Sequence, residues 1–399
     1  MSSLFHSVEL APRDPILGLN EQFGADTRTT KVNLGIGVYS DDQGKLPLLK
    51  SVHQAEMARV QANTTHGYLP IDGFAMLNKA AQILALGADS PVIAEKRALT
   101  VQSVGGTGAL KIGADFLKQL LPNAQVAISN PSWENHRALF ENAGFKVVQY
   151  PYYNAQTHGL DFDGMINGLK SLPAGTIIVL HACCHNPTGI DPTPAQWQII
   201  AETVQAGQLV PFLDNAYQGF GQGLEEDAQA IRLFAKMGMM MFISSSYSKS
   251  FSLYGERIGA LTVVAGSQDE AIRVLSQIKR VVRTNYSNPP TLGGAVVSQV
   301  LNTAELHDLW VSELAGMRDR IQDMRQQFVS KLTALGVKQN FDFVLAQQGM
   351  FSYSGLTPEQ VEALRKDHGI YAVSTGRICV AALNSQNIDY VTKAVAAVL

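Results

Sequence analysis

Met240-Met241-Phe242-Ile243-Ser244-Ser245-Ser246-Tyr247-Ser248-Lys249 is an apolar run that gives way to hydroxyls and then to a single lysine. Leu209-Val210-Pro211-Phe212-Leu213-Asp214, before it in the chain, has the same form and ends on a carboxylate. Short, near-continuous apolar runs suit strands covered on both faces, as in a mostly parallel α/β sheet. Working outward, residues 126–129, 147–150, 176–181 and 260–264 read as further strands of this kind. Helical patterns separate them. One follows Gly106-Thr107-Gly108, with Leu110, Ala114, Leu117 and Leu121 on one face, and others are expected over 194–206, 227–237 and 269–282.

The texture changes after Thr303. A long helical stripe (Leu306, Trp310, Leu314, Met317, Ile321, Met324, Phe328) runs to about Leu335. Strand-like pieces at 349–353 and 378–382 and helices over 358–367 and 388–398 follow, which together read as a smaller α+β domain. Val32-Asn33-Leu34 is a candidate extra strand of that domain. The expected division is therefore 1–46 as an N-terminal arm and part of the small domain, 47–315 as the large domain, and 316–399 as the small one.

Bulk composition narrows the function. The 399 residues are 46% hydrophobic and 16% charged, an ordinary globular balance. A net charge of −3 gives no field suited to nucleic acid or an anionic membrane, so a small anionic substrate needs local arginines. Three cysteines, two of them adjacent (Cys183 and Cys184), make a poor disulfide framework and point to a reducing cytoplasm. The first residues lack a basic segment followed by an apolar one, so no export signal is expected. No run of about 18 apolar residues suggests a membrane span.

Several polar residues fall just after expected strands, where open α/β sheets bind ligands. Lys249 could lose its proton if burial and the nearby Arg257 act on it, or it could be an ordinary solvated lysine. Asp214, at the end of a buried strand, needs a partner. A protonated pyridine nitrogen would serve, as would a helix cap or a structural ion pair. Gly105-Gly106-Thr107-Gly108 before a helix offers backbone N–H groups to a phosphate, or is simply a tight turn. Trp133 could stack on a flat ring and His136 could support Asp214, although both also suit a core. Arg377, at a strand start, is shaped to grip a carboxylate with two hydrogen bonds, unless it lies on the surface.

Taken together, the segments closely resemble the class I aminotransferases, in their aspartate/aromatic branch and most like the bacterial aromatic-amino-acid (tyrosine) enzymes. The resemblance runs from Asp14-Pro15-Ile16-Leu17 to Gly376-Arg377-Ile378. Its most specific pieces are His185-Asn186-Pro187-Thr188-Gly189, Asp214-Asn215-Ala216-Tyr217-Gln218-Gly219-Phe220, and Ser246-Tyr247-Ser248-Lys249 continuing into Leu253-Tyr254-Gly255-Glu256-Arg257. It implies the fold-type I architecture of pyridoxal-phosphate (PLP) enzymes, with a mostly parallel seven-stranded sheet covered by helices plus a smaller α+β domain.

The roles that follow from the resemblance are specific. Lys249 would hold the cofactor as a Schiff base and later carry a proton. Asp214 would pair with the ring nitrogen, backed by His136, and Asn186 and Tyr217 would bond the ring oxygen. Gly106, Thr107, Ser246 and Arg257 would take the phosphate, Trp133 would stack on the ring, and Tyr68 would reach the phosphate of the neighbouring subunit. Arg377 would hold the substrate α-carboxylate with Gly37 and Asn186 nearby. Arg283 of the partner subunit would take a distal carboxylate. These roles imply a homodimer with shared sites and no metal, working by ping-pong transfer of an amino group to 2-oxoglutarate.

The substrate side is mixed. Gly105, Leu46 and Ser250-Phe251-Ser252-Leu253-Tyr254-Gly255 look like aromatic members, whereas Thr107 and Asn288 look like aspartate members, and Arg283 suits both. Dual specificity for aromatic amino acids and aspartate or glutamate is expected, with a dedicated aspartate enzyme as the alternative. A β-lyase or synthase on the same fold, and a regulator built on it, are the rival readings. The two arginines disfavour the first. The second needs a DNA-binding module, for which the matched span leaves no room.

Overall fold

The computed structural model describes residues 3–399. Its centre is a seven-stranded sheet made of β1 (Ala98–Val104), β2 (Gln125–Asn130), β3 (Lys146–Pro151), β4 (Ile177–His181), β5 (Val210–Asn215), β6 (Met241–Ser246) and β7 (Ile258–Val264). The strands lie in the order β1-β7-β6-β5-β4-β2-β3. Only β7 runs against its neighbours. All six sequence-derived runs are strands of this sheet, with ends shifted by a residue or two.

The strands other than the edge strand β3 are buried on both faces, and the pleat divides their side chains between two cores. Ile178, Leu180, Leu213, Met241 and Ile243 join one core with the helix Pro194–Ala206. Ile177, Val179, Phe212 and Phe242 join the other with the helix Gly105–Leu120. Thr193 fixes the start of its helix through a capping box: its hydroxyl accepts from the Gln196 N–H, and the Gln196 side chain accepts from the Thr193 N–H.

Strand β1 was not among the runs read from the sequence, because Ala98-Leu99-Thr100-Val101-Gln102-Ser103-Val104 alternates like a half-exposed strand. Its polar side chains are in fact buried, each with an internal partner. Thr100 shares a 2.8 Å hydroxyl contact with Thr262 of β7, Ser103 donates to the Gly105 carbonyl, and Gln102 donates to the Pro290 carbonyl.

The C-terminal part forms the smaller α+β region. Phe351–Tyr353 pairs antiparallel with Arg377–Cys379, and Val32–Asn33 pairs parallel with Ile370–Tyr371. The expected strand at 378–382 therefore starts one residue earlier and gives way at Val380–Ala382 to a short 3-10 turn. The helix Ala304–Ala334 runs unbroken through residue 315, the expected boundary. Before that point Glu313 accepts from the backbone of Lys50 and Ser51. Beyond it Arg320 donates to the Leu383 carbonyl and Lys331 pairs with Asp389. All seven stripe residues are buried. Among the described residues no helix is long and apolar enough to cross a membrane.

The contact between the Gly105–Leu120 helix and the sheet leaves no room for a side chain at Gly113, where a Cβ would lie 2.6 Å from two ring atoms of Phe212. Gly113→Ala gains helix propensity but forces the buried ring aside, a net loss of about 1–2 kcal/mol. A lower urea midpoint at unchanged slope is the expected result, and an unchanged midpoint would show that the ring has room to move.

Candidate active site

Strand polarity gathers the polar residues at one rim. Strands β1, β2, β4, β5 and β6 all end there, leading into Gly105, Trp133, Asn186, Asp214 and Lys249 respectively. The reversed strand β7 begins at the same rim, so Arg257, the residue before it, arrives from the opposite direction. Trp133, Asn186, Asp214, Lys249 and Arg257 line a cavity of about 210 Å³, together with Gly106, Gly37 and Arg377.

Asp214 is buried, and its Oδ2 lies 2.9 Å from His136 Nε2. Since a carboxylate only accepts, Nε2–H donates, while His136 Nδ1 meets Ser132 Oγ at 2.9 Å. Burial acts to raise the Asp214 pKa, but the His136 hydrogen bond, helped by the nearby positive charge of Lys249, outweighs it and holds the carboxyl below its usual range. His181 stands beside this pair with both ring nitrogens unpartnered, and burial, followed by His136, pushes it down to about 3. It is therefore neutral under ordinary conditions.

Lys249 Nζ sits 5.0 Å from the centre of the Tyr217 ring. Burial lowers its pKa to about 8. Asp214 opposes that shift and Arg257 adds to it. A useful fraction of the amine is thus neutral near physiological pH.

Arg257 packs over Gly105, whose φ of +69° turns the chain into the helix and whose Cβ, were there one, would lie 2.5 Å from Arg257 Nη2. Arg257 donates to Ser248 Oγ and to the Tyr254 carbonyl. With Thr107, Ser246 and the helix start, this end of the cavity is a cradle for an anion.

Arg377 is buried; one terminal nitrogen donates to the Gly35 carbonyl at 2.6 Å and the other to Asn186 Oδ1 at 3.1 Å. Its Nε has no partner. The Asn186 amide lies 3.5 Å from Tyr217 Oη, so Asn186 joins the two.

The chain matches the family described as aminotransferase class I and II over residues 29–395. This protein belongs to that family. It is 60% identical to an aspartate aminotransferase of Pseudomonas aeruginosa, with both chains fully covered. It is 64% identical to the aromatic-amino-acid aminotransferase of Burkholderia pseudomallei, whose structure is covalently bound to pyridoxal phosphate, with both chains fully covered and a TM-score of 0.98. An aromatic-amino-acid aminotransferase of Psychrobacter sp. B6, cocrystallised with aspartic acid, is 46% identical over 99% of each chain, with a TM-score of 0.97.

In this aminotransferase the cavity brings together Gly37, Gly106, Thr107, Trp133, Asn186, Asp214, Tyr217, Ser246, Lys249, Arg257 and Arg377. His136 stands behind Asp214 rather than on the cavity wall. Tyr68 is 94% exposed, and Arg283 lies on the exposed side of its helix, donating to Ser287 Oγ. Leu46 is also exposed, and none of these three touches the cavity of its own chain. Reading the sequence missed Phe351, His181, Ser248, Leu110 and Ile16 as wall residues. Ser248 was within reach, since it belongs to the hydroxyl run before Lys249. Phe351 carried no signal beyond its place in a strand.

The charges around Lys249 predict its titration. In cofactor-free protein, cyanate should carbamylate Lys249 with a midpoint near pH 8, the pKa of about 8 set mainly by burial. Arg257→Gln removes a cation that lowers this pKa and should move the midpoint up, whereas Asp214→Asn removes an anion that raises it and should move it down. Peptide mass spectrometry across pH reads both, and a lysine reactive only above pH 10 would contradict the burial argument.

Proposed function

We propose that this protein is a PLP-dependent aminotransferase that takes both aromatic amino acids and aspartate, with 2-oxoglutarate as amino acceptor. The observation that carries the reading is a buried lysine of lowered basicity in one cavity with an anion cradle, a buried ionised carboxylate and a carboxylate-gripping arginine. Pyridoxal phosphate, when bound, supplies an aldehyde that condenses with amines and a protonated ring that withdraws electrons.

The residues present fit that group. Arg257, Ser246, Thr107 and Gly106 would hold its phosphate, with Gly105 leaving space for Arg257. Asp214, kept ionised by His136, would hold the positive ring nitrogen, and Trp133 would cover a ring face. Asn186 and Tyr217 offer hydrogen bonds to the ring oxygen. Lys249 would bind the cofactor covalently and, once displaced, accept a proton from the substrate Cα and return it. Arg377 would orient the amino acid by its α-carboxylate.

The dual range is supported by near-equal similarity to proteins named for aspartate and for aromatic amino acids. We further infer a homodimer. Tyr68, expected at a neighbouring subunit's cofactor phosphate, and Arg283, expected at its substrate, lie exposed and away from their own cavity, as residues lent to a partner would. Exposed apolar side chains also crowd the first part of the chain, including Leu4, Phe5, Val8, Leu10, Leu46 and Leu48. We place the division between the two domains within the Ala304–Ala334 helix, near 315, and the protein in the cytoplasm, where its three buried free thiols would stay reduced.

Two measurements test this. A pH-sensitive visible band should bleach with tyrosine or aspartate and return with 2-oxoglutarate; a colourless protein that stays colourless with added pyridoxal phosphate removes the central role of Lys249. Arg283→Leu should lose about a hundredfold or more in kcat/KM for aspartate and much less for tyrosine, as expected for a lost charge-assisted pair. Tyrosine turnover negligible beside aspartate turnover in the wild type would favour the dedicated aspartate enzyme. For the shared site, inactive Lys249→Ala and Arg283→Leu chains mixed after subunit exchange should recover aspartate activity, because one hybrid site then has both residues. No recovery despite exchange would contradict sharing.

A further inference from the structure

The ring of Phe351 lies under the Arg377 guanidinium, 4.3 Å from its centre to Arg377 Cζ. Strand register puts it there. In the antiparallel pair Tyr353 faces Arg377 and Phe351 faces Cys379, so Phe351 is the diagonal neighbour of Arg377 on the same face. The backbone and ring of Phe351 are both held in place. Its own carbonyl accepts from Arg325, a buried arginine of the Ala304–Ala334 helix that also holds the Gly349 carbonyl. The Tyr217 ring meets it edge-on at 5.9 Å. Gly37 closes the last side, where a Cβ would lie 2.6 Å from Phe351 Cζ.

Resting on the aminotransferase reading, we propose that Phe351 is a positioning residue for substrate recognition, holding the Arg377 guanidinium in plane for any ligand with an α-carboxylate. Two of the three guanidinium nitrogens already bind protein oxygens, Gly35 O and Asn186 Oδ1, which fix its edge. Those bonds leave rotation about the edge free, and the aromatic face beneath stops it. The ring also keeps water from that face, which strengthens the pull of the cation on a carboxylate. Gly37 lacks a side chain for the same reason, since any Cβ there would push the ring off the arginine. Phe351 acts through Arg377 on ground-state binding of the carboxylate, so its signature lies in KM rather than kcat.

The test compares Phe351→Leu, which fills most of the space without an aromatic face, with Phe351→His, which keeps a planar aromatic face and puts no atom beyond the ring tip toward Gly37. Both are made in the cofactor-loaded enzyme. Succinate, an unreactive carboxylate, is titrated calorimetrically alongside steady-state kinetics with tyrosine and aspartate. Phe351→Leu should weaken succinate about tenfold and raise both KM values by a similar factor, with kcat within about twofold. Phe351→His should stay within about threefold of wild type for binding. Unchanged succinate affinity in the leucine variant overturns the proposal, as does an equal loss in the histidine variant or a fall in kcat at constant KM. A wild type that neither binds succinate nor transaminates takes down the aminotransferase reading and this one with it.

Discussion

A carboxylate buried at the end of a central strand is the constraint on which the rest of the site depends. Left alone, Asp214 would take up a proton, because an unpaired buried charge costs several kcal/mol. His136 prevents that from one side and is itself held by Ser132. The other side opens on the cavity, where Lys249 contributes positive charge. The same burial that threatens Asp214 makes Lys249 a weaker base than a solvent lysine. One dry pocket therefore keeps an acid ionised and a base partly neutral, and Arg257 lowers the basicity of the lysine further.

Placement of these groups follows from strand direction. Five strands deliver residues at their carboxyl ends, and reversing β7 lets Arg257 arrive at the same rim from its amino end. The loop from Lys249 to Arg257 is thus short and braced, with Trp310 donating to the Ser250 carbonyl at 2.7 Å and Phe251 stacked on the same indole. Trp310 belongs to the long helix that also carries Arg320 and Arg325, which bond to the smaller region. A single rigid element joins the lysine loop to the region that supplies Arg377.

Much of this was legible. Apolar runs ending in Asp214 and Lys249 gave away both the sheet and its functional edge, because burial on two faces leaves a clear pattern. The helices expected from 194 and 358 begin there, each capped by the threonine before it. Strand β1 was hidden because Thr100 is satisfied in the interior by Thr262, and Gln102 and Ser103 by backbone carbonyls, and pattern alone reads polar as exposed. Phe351 was hidden because its partners, Gly37 and Arg377, are distant in sequence and meet only through strand register. The exposure of Tyr68, Arg283 and Leu46 could not be read from residue type at all.

The packing of Gly37, Phe351 and Arg377 divides the site by how freely it can change. Substitution at the carboxylate end disturbs the interior, since even a methyl group on Gly37 meets an aromatic ring. Arg283 and Leu46, the residues read as facing the variable part of the substrate, lie at the surface of their own chain, where replacements scarcely affect folding. Mutational drift therefore has a cheap route to new side-chain preferences and a blocked route to new carboxylate chemistry. A lineage built this way would be expected to wander between acidic and aromatic substrates while keeping its backbone and its grip on amino acids as a class.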